Sequence, residues 1–447
     1  MSPRCFIAIA TGQNIANVAP LLAVAAPQDA IVFIETAEAA RRGWVEPAVK
    51  VLRGHGCARI EHLRLDSDAP ARLYEAARAH RWPQGRFVII GNGGTKPQSM
   101  ALYEALREHA PWILYSLDRP CRLQWFEQGP GAAPRDQPYG RTPLTLDDVL
   151  ALRGMRVHTA GETLWSEGQL THAGELRAAI HRGYGFQSEE TFALHDRHAQ
   201  HEAERAAAMT LPPLPRWDKV VQIAPDEIAR FIRAWANALR VPVERVQQRE
   251  DARLVGLFNA AVGVLERTLR PRNPATAPPP LGESFEHALA ARLCRLLAVD
   301  RTLAPILQGV WSNVKIDNPN EAGVVLLEAD VLILLKNGLL LAIEAKSHTA
   351  ENKDLDARLL NLQRAGSQLA RIIVCSPLYT AAAGRDWFKT HHEFAQRVRR
   401  HGLTHLAYTL PGQPAQYLPP GVDPDTASPI QVSDFDSACT RLLTEFV

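Results

Sequence analysis

Short apolar runs alternate with amphipathic stretches in the first part of the chain. Four of these runs are as long as a buried strand, namely residues 5–10, 31–34, 87–90 and 112–116. Between them, residues 38–53 and 72–79 have the apolar spacing that is typical of helices. Strands that alternate with helices indicate a parallel, doubly wound sheet, in which ligands bind at the carboxyl ends of the strands.

A second apolar pattern, in residues 327–346, predicts a β-hairpin. Two apolar runs flank Asn337 and Gly338, and an Asn-Gly pair between such runs is a strong hairpin signal. Both runs are apolar at nearly every position, as in strands that are buried on both faces.

Three charged residues interrupt this hairpin, namely Asp330, Glu344 and Lys346. Glu344 and Lys346 are two positions apart on a strand and therefore point to the same face. A two-residue loop would place Asp330 opposite Ala345, on the other face. A three-residue loop with Gly338 in a left-handed conformation would place Asp330 opposite Glu344. We predict the second register, because it brings the two carboxylates and the lysine together.

Two carboxylates at close range repel each other unless a cation lies between them. We therefore expect Asp330 and Glu344 to bind Mg²⁺ or Mn²⁺, with the backbone carbonyl of Ala345 as a further ligand. Lys346 would then assist the attacking water in the hydrolysis of a phosphodiester. The alternative is a buried ion pair in an ordinary sheet, which would be costly in so apolar a setting.

The composition of the whole chain narrows the class of protein. At 447 residues, with 46% hydrophobic and 22% charged residues, the chain predicts a soluble globular protein of two or three domains. Its net charge of +2 excludes a histone-like basic binder and limits any nucleic-acid site to a local patch. The six cysteines show no C-x-x-C spacing, so we expect a reduced, cytoplasmic protein. Charged residues interrupt the apolar span 322–345, and we expect no membrane helix.

Glycine-containing turns follow two of the predicted strands. Their glycines would allow a phosphate or a ribose to approach the backbone, and Thr95 is a suitable N-cap for a helix whose free N–H groups face the ligand beside Lys96. The turns match neither a G-x-G-x-x-G fingerprint nor a Walker loop, which argues against a dinucleotide or a nucleoside triphosphate. The alternative is a tight turn without a ligand. The candidate ligand-binding residues are Thr11, Gly12, Gln13, Asn14, Asn92, Gly93, Gly94, Thr95 and Lys96.

Together these motifs resemble one nuclease family. The Gly-Asn-Gly-Gly-Thr-Lys turn of residues 91–96, on a Rossmann-like N-terminal domain, and the Ala-Asp…Glu-x-Lys hairpin that ends at Lys346 are similar to CARF-domain PD-(D/E)xK nucleases of type III CRISPR systems. Residues 142–154 are similar to a segment that follows the sensor domain in that family. The turn is shorter than the family pattern, and Ala329 stands where the motif name has proline.

The resemblance implies a fold and a set of sites. It implies a CARF-like ligand-sensing domain at 1–127, a linker and mostly helical insertion at 128–280, and a restriction-endonuclease-like α/β domain at 281–447. In that family the N-terminal domains of two chains hold a cyclic oligoadenylate between them, which switches on the nuclease. Glu286 matches a family glutamate near the metal, whereas Glu283 and Ser284 depart from the family motif. The alternative is a first-turn glutamate that the helix dipole favours. The predicted catalytic residues are Asp330, Glu344, Lys346 and Glu286.

The predicted function is a metal-dependent endonuclease that cuts DNA, RNA or both as a cytoplasmic homodimer in antiviral defence. A cyclic oligoadenylate would be its activator, with cyclic tetra-adenylate favoured. Three alternatives stay open: a ligand-independent restriction or repair nuclease, a ring nuclease that degrades cyclic oligoadenylate, and a regulator of transcription that only binds.

Overall fold

The protein is a mixed α/β molecule built on two large sheets. The computed structural model describes residues 3–127, 133–140, 142–180, 281–318, 321, 323–346, 352–366, 370–378, 385–409, 415–417 and 428–446. Most of the insertion predicted at 128–280 lies outside these residues. Among the described helices, none combines the length and the apolar character needed to span a membrane.

The N-terminal sheet has the parallel, doubly wound arrangement that the sequence predicts. Its strands are β1 (Arg4–Ile9), β2 (Ala30–Glu35), β3 (Arg59–Arg64), β4 (Arg86–Ile90), β5 (Trp112–Leu117), β6 (Arg122–Phe126) and β7 (Arg135–Pro138). The order is β3-β2-β1-β4-β5-β6-β7, in which β3 to β5 are parallel and β6 and β7 are antiparallel. The four predicted strands correspond to β1, β2, β4 and β5, whereas the edge strand β3 and the antiparallel pair were not predicted.

Helices cover both faces of this sheet. They are α1 (Ile15–Val24), α2 (Ala37–Arg42), α3 (Val45–Gly54), α4 (Pro70–Ala79) and α5 (Lys96–Leu106), followed by a short 3₁₀ helix (Arg107–His109). The single helix predicted over 38–53 is two helices, because Gly43 ends α2 in a left-handed conformation with φ of 64°.

Successive residues of β1 belong to different cores, as expected of a strand buried on both faces. Phe6 packs in one core with Leu21 of α1, while Ile7 packs in the other with Leu73 of α4 and Leu102 of α5. Full burial of such side chains contributes about 1.5–3 kcal/mol each.

The second sheet is mixed and takes strands from both sides of residues 181–280. Its strands are β8 (Val157–Thr159), β9 (Glu162–Ser166), β10 (Gln169–Leu170), β11 (Leu307–Asp317), β12 (Val325–Leu335), β13 (Leu340–Ala345), β14 (Arg371–Pro377) and β15 (Thr404–Tyr408). The order is β10-β9-β11-β12-β13-β14-β15, with β8 also paired to β11. Strands β11, β12 and β13 pair antiparallel, and β13, β14 and β15 pair parallel.

Further helices and a two-stranded sheet complete the described structure. The helices are α6 (Leu146–Ala151), α7 (His172–Ile180), α8 (Leu281–Val299), α9 (Asn352–Gly366), α10 (Arg385–Arg400) and α11 (Phe435–Thr444). The small sheet pairs β16 (Ala415–Tyr417) with β17 (Ile430–Val432).

The domain boundaries expected from the sequence need correction. Residues 157–180, assigned to the linker and insertion, supply β8, β9, β10 and α7 to the second sheet and its helical layer. Strand β7 likewise extends the first sheet beyond residue 127. Strand pairing depends on complementary edges and not on closeness in sequence, so the boundary expected at residue 281 did not mark where the second sheet begins.

The hairpin of β12 and β13 has the predicted register. Its ladder sets Asp330 opposite Glu344. At the tip, the N–H of Leu335 donates to the carbonyl of Leu339 at 2.9 Å, and Gly338 has φ of 84°. The left-handed glycine and the three-residue loop are therefore confirmed.

The tip of this hairpin lies against the N-terminal domain. A Cβ atom added to Gly338 would lie 2.3 Å from Cγ1 of Ile15 in α1. The Asn337 side chain donates to the backbone carbonyl of Leu117 at 3.4 Å. Buried side chains of both sheets belong to one contiguous hydrophobic core. The two domains are therefore packed together and not merely tethered.

We predict that Gly338→Ala destabilises the protein more than Gly402→Ala. Both glycines have positive φ, which costs an alanine about 1–2 kcal/mol. Only at position 338 does the new methyl group also meet a packed side chain, whereas nothing lies within 4 Å at Gly402. That overpacking costs about 1–3 kcal/mol more. Thermal unfolding of the two variants measures the difference, and equal losses would contradict the tight interdomain contact.

Candidate active site and ligand-binding loops

Two buried carboxylates face each other across the hairpin. Asp330 is 6% exposed and Glu344 is 1% exposed. The N–H of Ala345 donates to Oδ2 of Asp330 at 2.7 Å. Nζ of Lys346 lies 3.4 Å from Oε2 of Glu344. The structure thus brings the predicted carboxylates and lysine together at the end of β13.

Glu344 is a buried carboxylate without adequate partners in the described residues. Neither of its oxygen atoms accepts a well-aligned hydrogen bond from them, although Lys346 and Arg358 lie at ion-pair distance. Burial and the negative charge of Asp330 raise the pKa of Glu344 to about 7, against the opposing effect of the two cations. Burial also raises the pKa of Asp330, although Lys346 and the N–H of Ala345 favour its charged form. An additional cation would relieve this repulsion.

Helix α8 brings a third carboxylate to the same place. Burial raises the pKa of Glu286 to about 7, and the negative charges of Asp330, Glu328 and Glu344 contribute, while Lys346 opposes them. The predicted catalytic glutamate therefore lies within electrostatic range of the hairpin carboxylates. A carboxyl group with a pKa near neutrality can both hold and release a proton at physiological pH.

The donor set fits a hard divalent ion held by few protein ligands. In the described residues, no group of three or more His, Cys, Asp and Glu side chains is arranged to hold a metal. Mg²⁺ commonly binds through one or two carboxylates and keeps several waters. The incompletely paired carboxylate of Glu344, opposite Asp330 and next to Ala345, has the chemistry of such a site.

The structure adds an arginine that sequence reasoning missed. Arg358 of α9 places its Nε atom 3.6 Å from Oε2 of Glu344, and its guanidinium donates to the backbone carbonyl of Glu328. The side chain of Glu328 pairs instead with Lys315 at 3.1 Å. No motif spacing links Arg358 to the hairpin, because the contact depends on how α9 packs on β12.

The second candidate site lies where the strand order of the N-terminal sheet reverses. Strands β1 and β4 are parallel neighbours, and β2 and β5 lie on their outer sides. The loops that follow β1 and β4 therefore meet at a topological switch point, where open α/β sheets bind ligands. Thr11, Gly12 and Gln13 on one loop are half-buried.

The loop after β4 presents exposed polar groups at a helix start. Gly94, Thr95 and Lys96 are exposed, and Thr95 caps α5 in a reciprocal capping box with Gln98. Gly93 must be a glycine, because a Cβ there would lie 2.2 Å from the carbonyl oxygen of Ile9. The predicted cap is present, whereas the close approach at Gly93 is to the end of β1 and the approach of a ligand to these glycines stays a prediction.

Two predicted ligand residues hold the loops together instead. Asn14 is buried, and its side chain accepts from the N–H of Thr11 at 3.0 Å and donates to the carbonyl of Trp44 at 2.6 Å. The Asn92 side chain donates to the carbonyl of Ser116 at 2.8 Å and accepts from its N–H at 2.6 Å. Asparagine side chains at strand ends readily replace backbone partners in this way. Their amides are therefore engaged with the protein, in contrast to the predicted ligand contacts.

Comparison with known proteins identifies shared architecture. No family model matches the chain, and no curated protein matches it. Among solved structures, Can2 from Sulfobacillus thermosulfidooxidans in complex with cyclic tetra-adenylate aligns over 99% of both chains, at 14% identity and a TM-score of 0.54. Protein VC1899 from Vibrio cholerae aligns over 90% of this chain and 94% of its own, at 16% identity and a TM-score of 0.51.

A third solved structure is less similar. The structure of a type III CRISPR defence DNA nuclease activated by cyclic oligoadenylate aligns over 84% of this chain and 45% of its own, at 18% identity. Its TM-score of 0.43 is too low to support a structural argument. The chain thus has the fold of Can2 and VC1899, a Rossmann-like α/β domain packed on a second α/β domain.

We predict that Glu344→Gln stabilises the metal-free protein at alkaline pH. The raised pKa of Glu344 means that folding disfavours its charged form, so stability falls as pH rises from its unfolded pKa of about 4.5 to about 7. Glutamine keeps the shape and removes this charge, and the partly exposed Lys346 and Arg358 remain hydrated.

Thermal unfolding in a chelator at pH 5 and pH 8 tests this expectation. Glu104→Gln is the matched control, because Glu104 pairs with Arg107 on an exposed helix surface. A lower melting temperature of Glu344→Gln at pH 8 would contradict the electrostatic argument.

Proposed function

We propose that this protein is a metal-dependent endonuclease whose activity a cyclic oligoadenylate switches on. The observation that carries the proposal is the buried, incompletely paired carboxylate of Glu344, opposite Asp330 and beside Lys346. A protein gains nothing in stability from such an arrangement, so we attribute it to catalysis. The sequence resemblance to PD-(D/E)xK nucleases supports the same assignment and a restriction-endonuclease-like C-terminal domain.

The residues of this site divide the work of phosphodiester hydrolysis. Asp330, Glu344 and the carbonyl of Ala345 would hold Mg²⁺ or Mn²⁺, and such an ion supplies water activation and neutralises charge on a phosphate. Lys346 orients the attacking water by hydrogen bonding. Glu286, which lies within electrostatic range of Asp330 and Glu344, would accept the proton of that water. Arg358 binds a non-bridging oxygen of the scissile phosphate and stabilises its developing charge.

The N-terminal loops would receive the activator. The exposed Lys96 at the start of α5 suits a phosphate through its ammonium group, and Thr11, Gly12 and Gln13 lie on the adjacent loop. Can2, which has the same fold, is known in complex with cyclic tetra-adenylate. We therefore assign this activator class here, with cyclic tetra-adenylate first, held between two copies of the chain in type III CRISPR defence.

Cleavage assays test the proposal directly. Supercoiled plasmid, single-stranded DNA and RNA are incubated with Mn²⁺, alone and with cyclic tetra-adenylate or cyclic hexa-adenylate. We expect cleavage only in the presence of an activator. Cleavage regardless of nucleotide would favour a ligand-independent nuclease, and loss of intact cyclic oligoadenylate in Asp330→Ala would favour a ring nuclease.

We predict that the two sites can be inactivated separately. Lys346→Ala should reduce cleavage at least about 10²-fold, as loss of one transition-state donor does elsewhere, and leave activator affinity unchanged. Lys96→Ala should weaken activator binding at least about tenfold, because a charge-assisted hydrogen bond to phosphate is lost, and leave cleavage at saturating activator intact. Calorimetric titration and initial rates measure the two effects, and a joint loss in either variant would sink the two-site assignment.

We also predict a catalytic role for Arg358. Arg358→Ala should lower the cleavage rate by about 10²-fold, because its loss removes a phosphate contact. Arg358→Lys should recover part of the rate. Arg72→Ala, which breaks an exposed pair with Glu75 on α4, is the control. Wild-type rates in Arg358→Ala would remove this residue from the mechanism.

A further inference from the structure

Arg153 connects the two domains beside the loop that follows β1. Its guanidinium donates to the backbone carbonyl of Gly12 in that loop, and to the carbonyls of Gln363 and Arg364 in the last turn of α9 at 3.4 and 3.2 Å. All three acceptors are backbone atoms from two domains. The contact therefore depends on where the two backbones lie, and a shift of either one changes it.

The chemistry of arginine suits this position. The last carbonyls of a helix lack partners within the helix, and a cation is favoured there by the helix dipole. The planar guanidinium carries donors in fixed directions, so it can bind the Gly12 loop and the end of α9 at once. Partial burial lowers the pKa of Arg153, and its hydrogen bonds to the carbonyls offset part of that cost.

Helix α9 links this contact to the candidate active site. Arg358 lies on the same helix, about 7.5–9 Å along its axis from the carbonyls that Arg153 binds. Its Nε atom lies 3.6 Å from Glu344, and the side chain of Asn361 donates to the carbonyl of Leu326 in β12 at 2.8 Å. A displacement of the whole helix would therefore move Arg358 relative to Glu344.

A cleft leaves room for such a displacement. A cavity of about 730 Å³ lies between the domains, lined by Gly12, Trp44, Arg153, Leu326 and Arg364 among others. Among the described residues, Arg153 joins the loop after β1 to the end of α9 beside this cavity. Backbone movement on one side does not have to compress a core.

We propose that Arg153 is a positioning residue that transmits occupancy of the loop after β1, through α9, to Arg358 and Glu344. The inference rests on the proposed function, because it takes that loop as part of the activator site. Activator contact with residues 11–13 shifts the carbonyl of Gly12, and Arg153 carries this shift to the end of α9. Arg358 then changes its position relative to Glu344. Arg153 itself touches neither the substrate nor the reacting atoms.

The test compares Arg153→Ala, Arg153→Lys and Arg119→Ala in the full-length chain. Arg119 is the matched control, since it also joins the domains, through an ion pair with Glu445 at 3.1 Å and a contact with the Phe446 ring. We expect the affinity of Arg153→Ala for cyclic tetra-adenylate to lie within about twofold of the wild-type affinity. Its cleavage rate at saturating cyclic tetra-adenylate should be at least about fivefold lower than that of the wild type, which corresponds to a modest allosteric coupling. Arg153→Lys should recover part of this rate, and Arg119→Ala should keep all of it.

Hydrogen exchange provides a readout that does not need cleavage. In the wild type, cyclic tetra-adenylate should change the exchange of amides both in residues 10–17 and in α9. In Arg153→Ala, the change should stay in residues 10–17. A merely structural role would lower the melting temperature and cleavage together and would leave the activator-induced change of exchange in α9 in place.

The outcomes separate the inference from the proposed function. Full stimulation of Arg153→Ala, or an α9 response that survives in this variant, would overturn the inference while leaving the gated nuclease intact. A wild-type chain that binds cyclic tetra-adenylate without cleaving nucleic acid would contradict the proposed function, and the exchange response of α9 would still decide the role of Arg153. A wild-type chain that does not bind it would overturn both.

Discussion

Electrostatic repulsion between Asp330 and Glu344 is the constraint on which the candidate active site depends. The two carboxylates face each other in a buried hairpin, so burial disfavours the charge of both, and the charge of Asp330 adds to this effect at Glu344. Their position is imposed by the backbone, because β12 and β13 are held by neighbouring strands on both sides. Lys346, after β13, and Arg358, in α9, offset the negative charge of the pair. Glu286, in α8, adds to it.

The same hairpin connects this site to the rest of the molecule. Its tip, at Gly338, packs against α1 of the N-terminal domain. Asp330 lies five residues before the end of β12, which is about 17 Å in an extended strand. Helix α9 forms a second connection, from Arg358 to the carbonyls that bind Arg153. The candidate active site is thus supported by elements that also touch the other domain, and the proposed signal from the activator would pass through them.

The shared architecture with Can2 and VC1899 at 14% and 16% identity shows how little of this fold depends on particular residues. A doubly wound sheet needs apolar strands and amphipathic helices at suitable spacing, and many sequences satisfy that pattern. Sites depend on individual side chains. The assignment of chemistry here therefore rests on the residues of this chain, such as the buried Glu344, and not on the alignment.

Local pattern by itself determined the parallel strands of the N-terminal sheet and the register of the hairpin. Apolar runs identify buried strands, and Gly338 identifies the turn because only glycine readily adopts its positive φ. Asp330, Glu344 and Lys346 could be grouped for the same reason, since strand geometry sets which side chains share a face. The exposed groups at Thr95 also followed from local capping rules.

Tertiary structure decided what depends on contacts between distant parts of the chain. Strands β8 to β10 join the second sheet across residues 181–280, and no local signal states which edge they pair with. The side chains of Asn14 and Asn92 donate hydrogen bonds to the backbone carbonyls of Trp44 and Ser116. These partners are distant in sequence, so the turn motifs did not predict the contacts. Arg153 and Arg358 acquire their roles only through the packing of α9, because hydrogen bonds to backbone carbonyls of remote segments leave no spacing in the sequence.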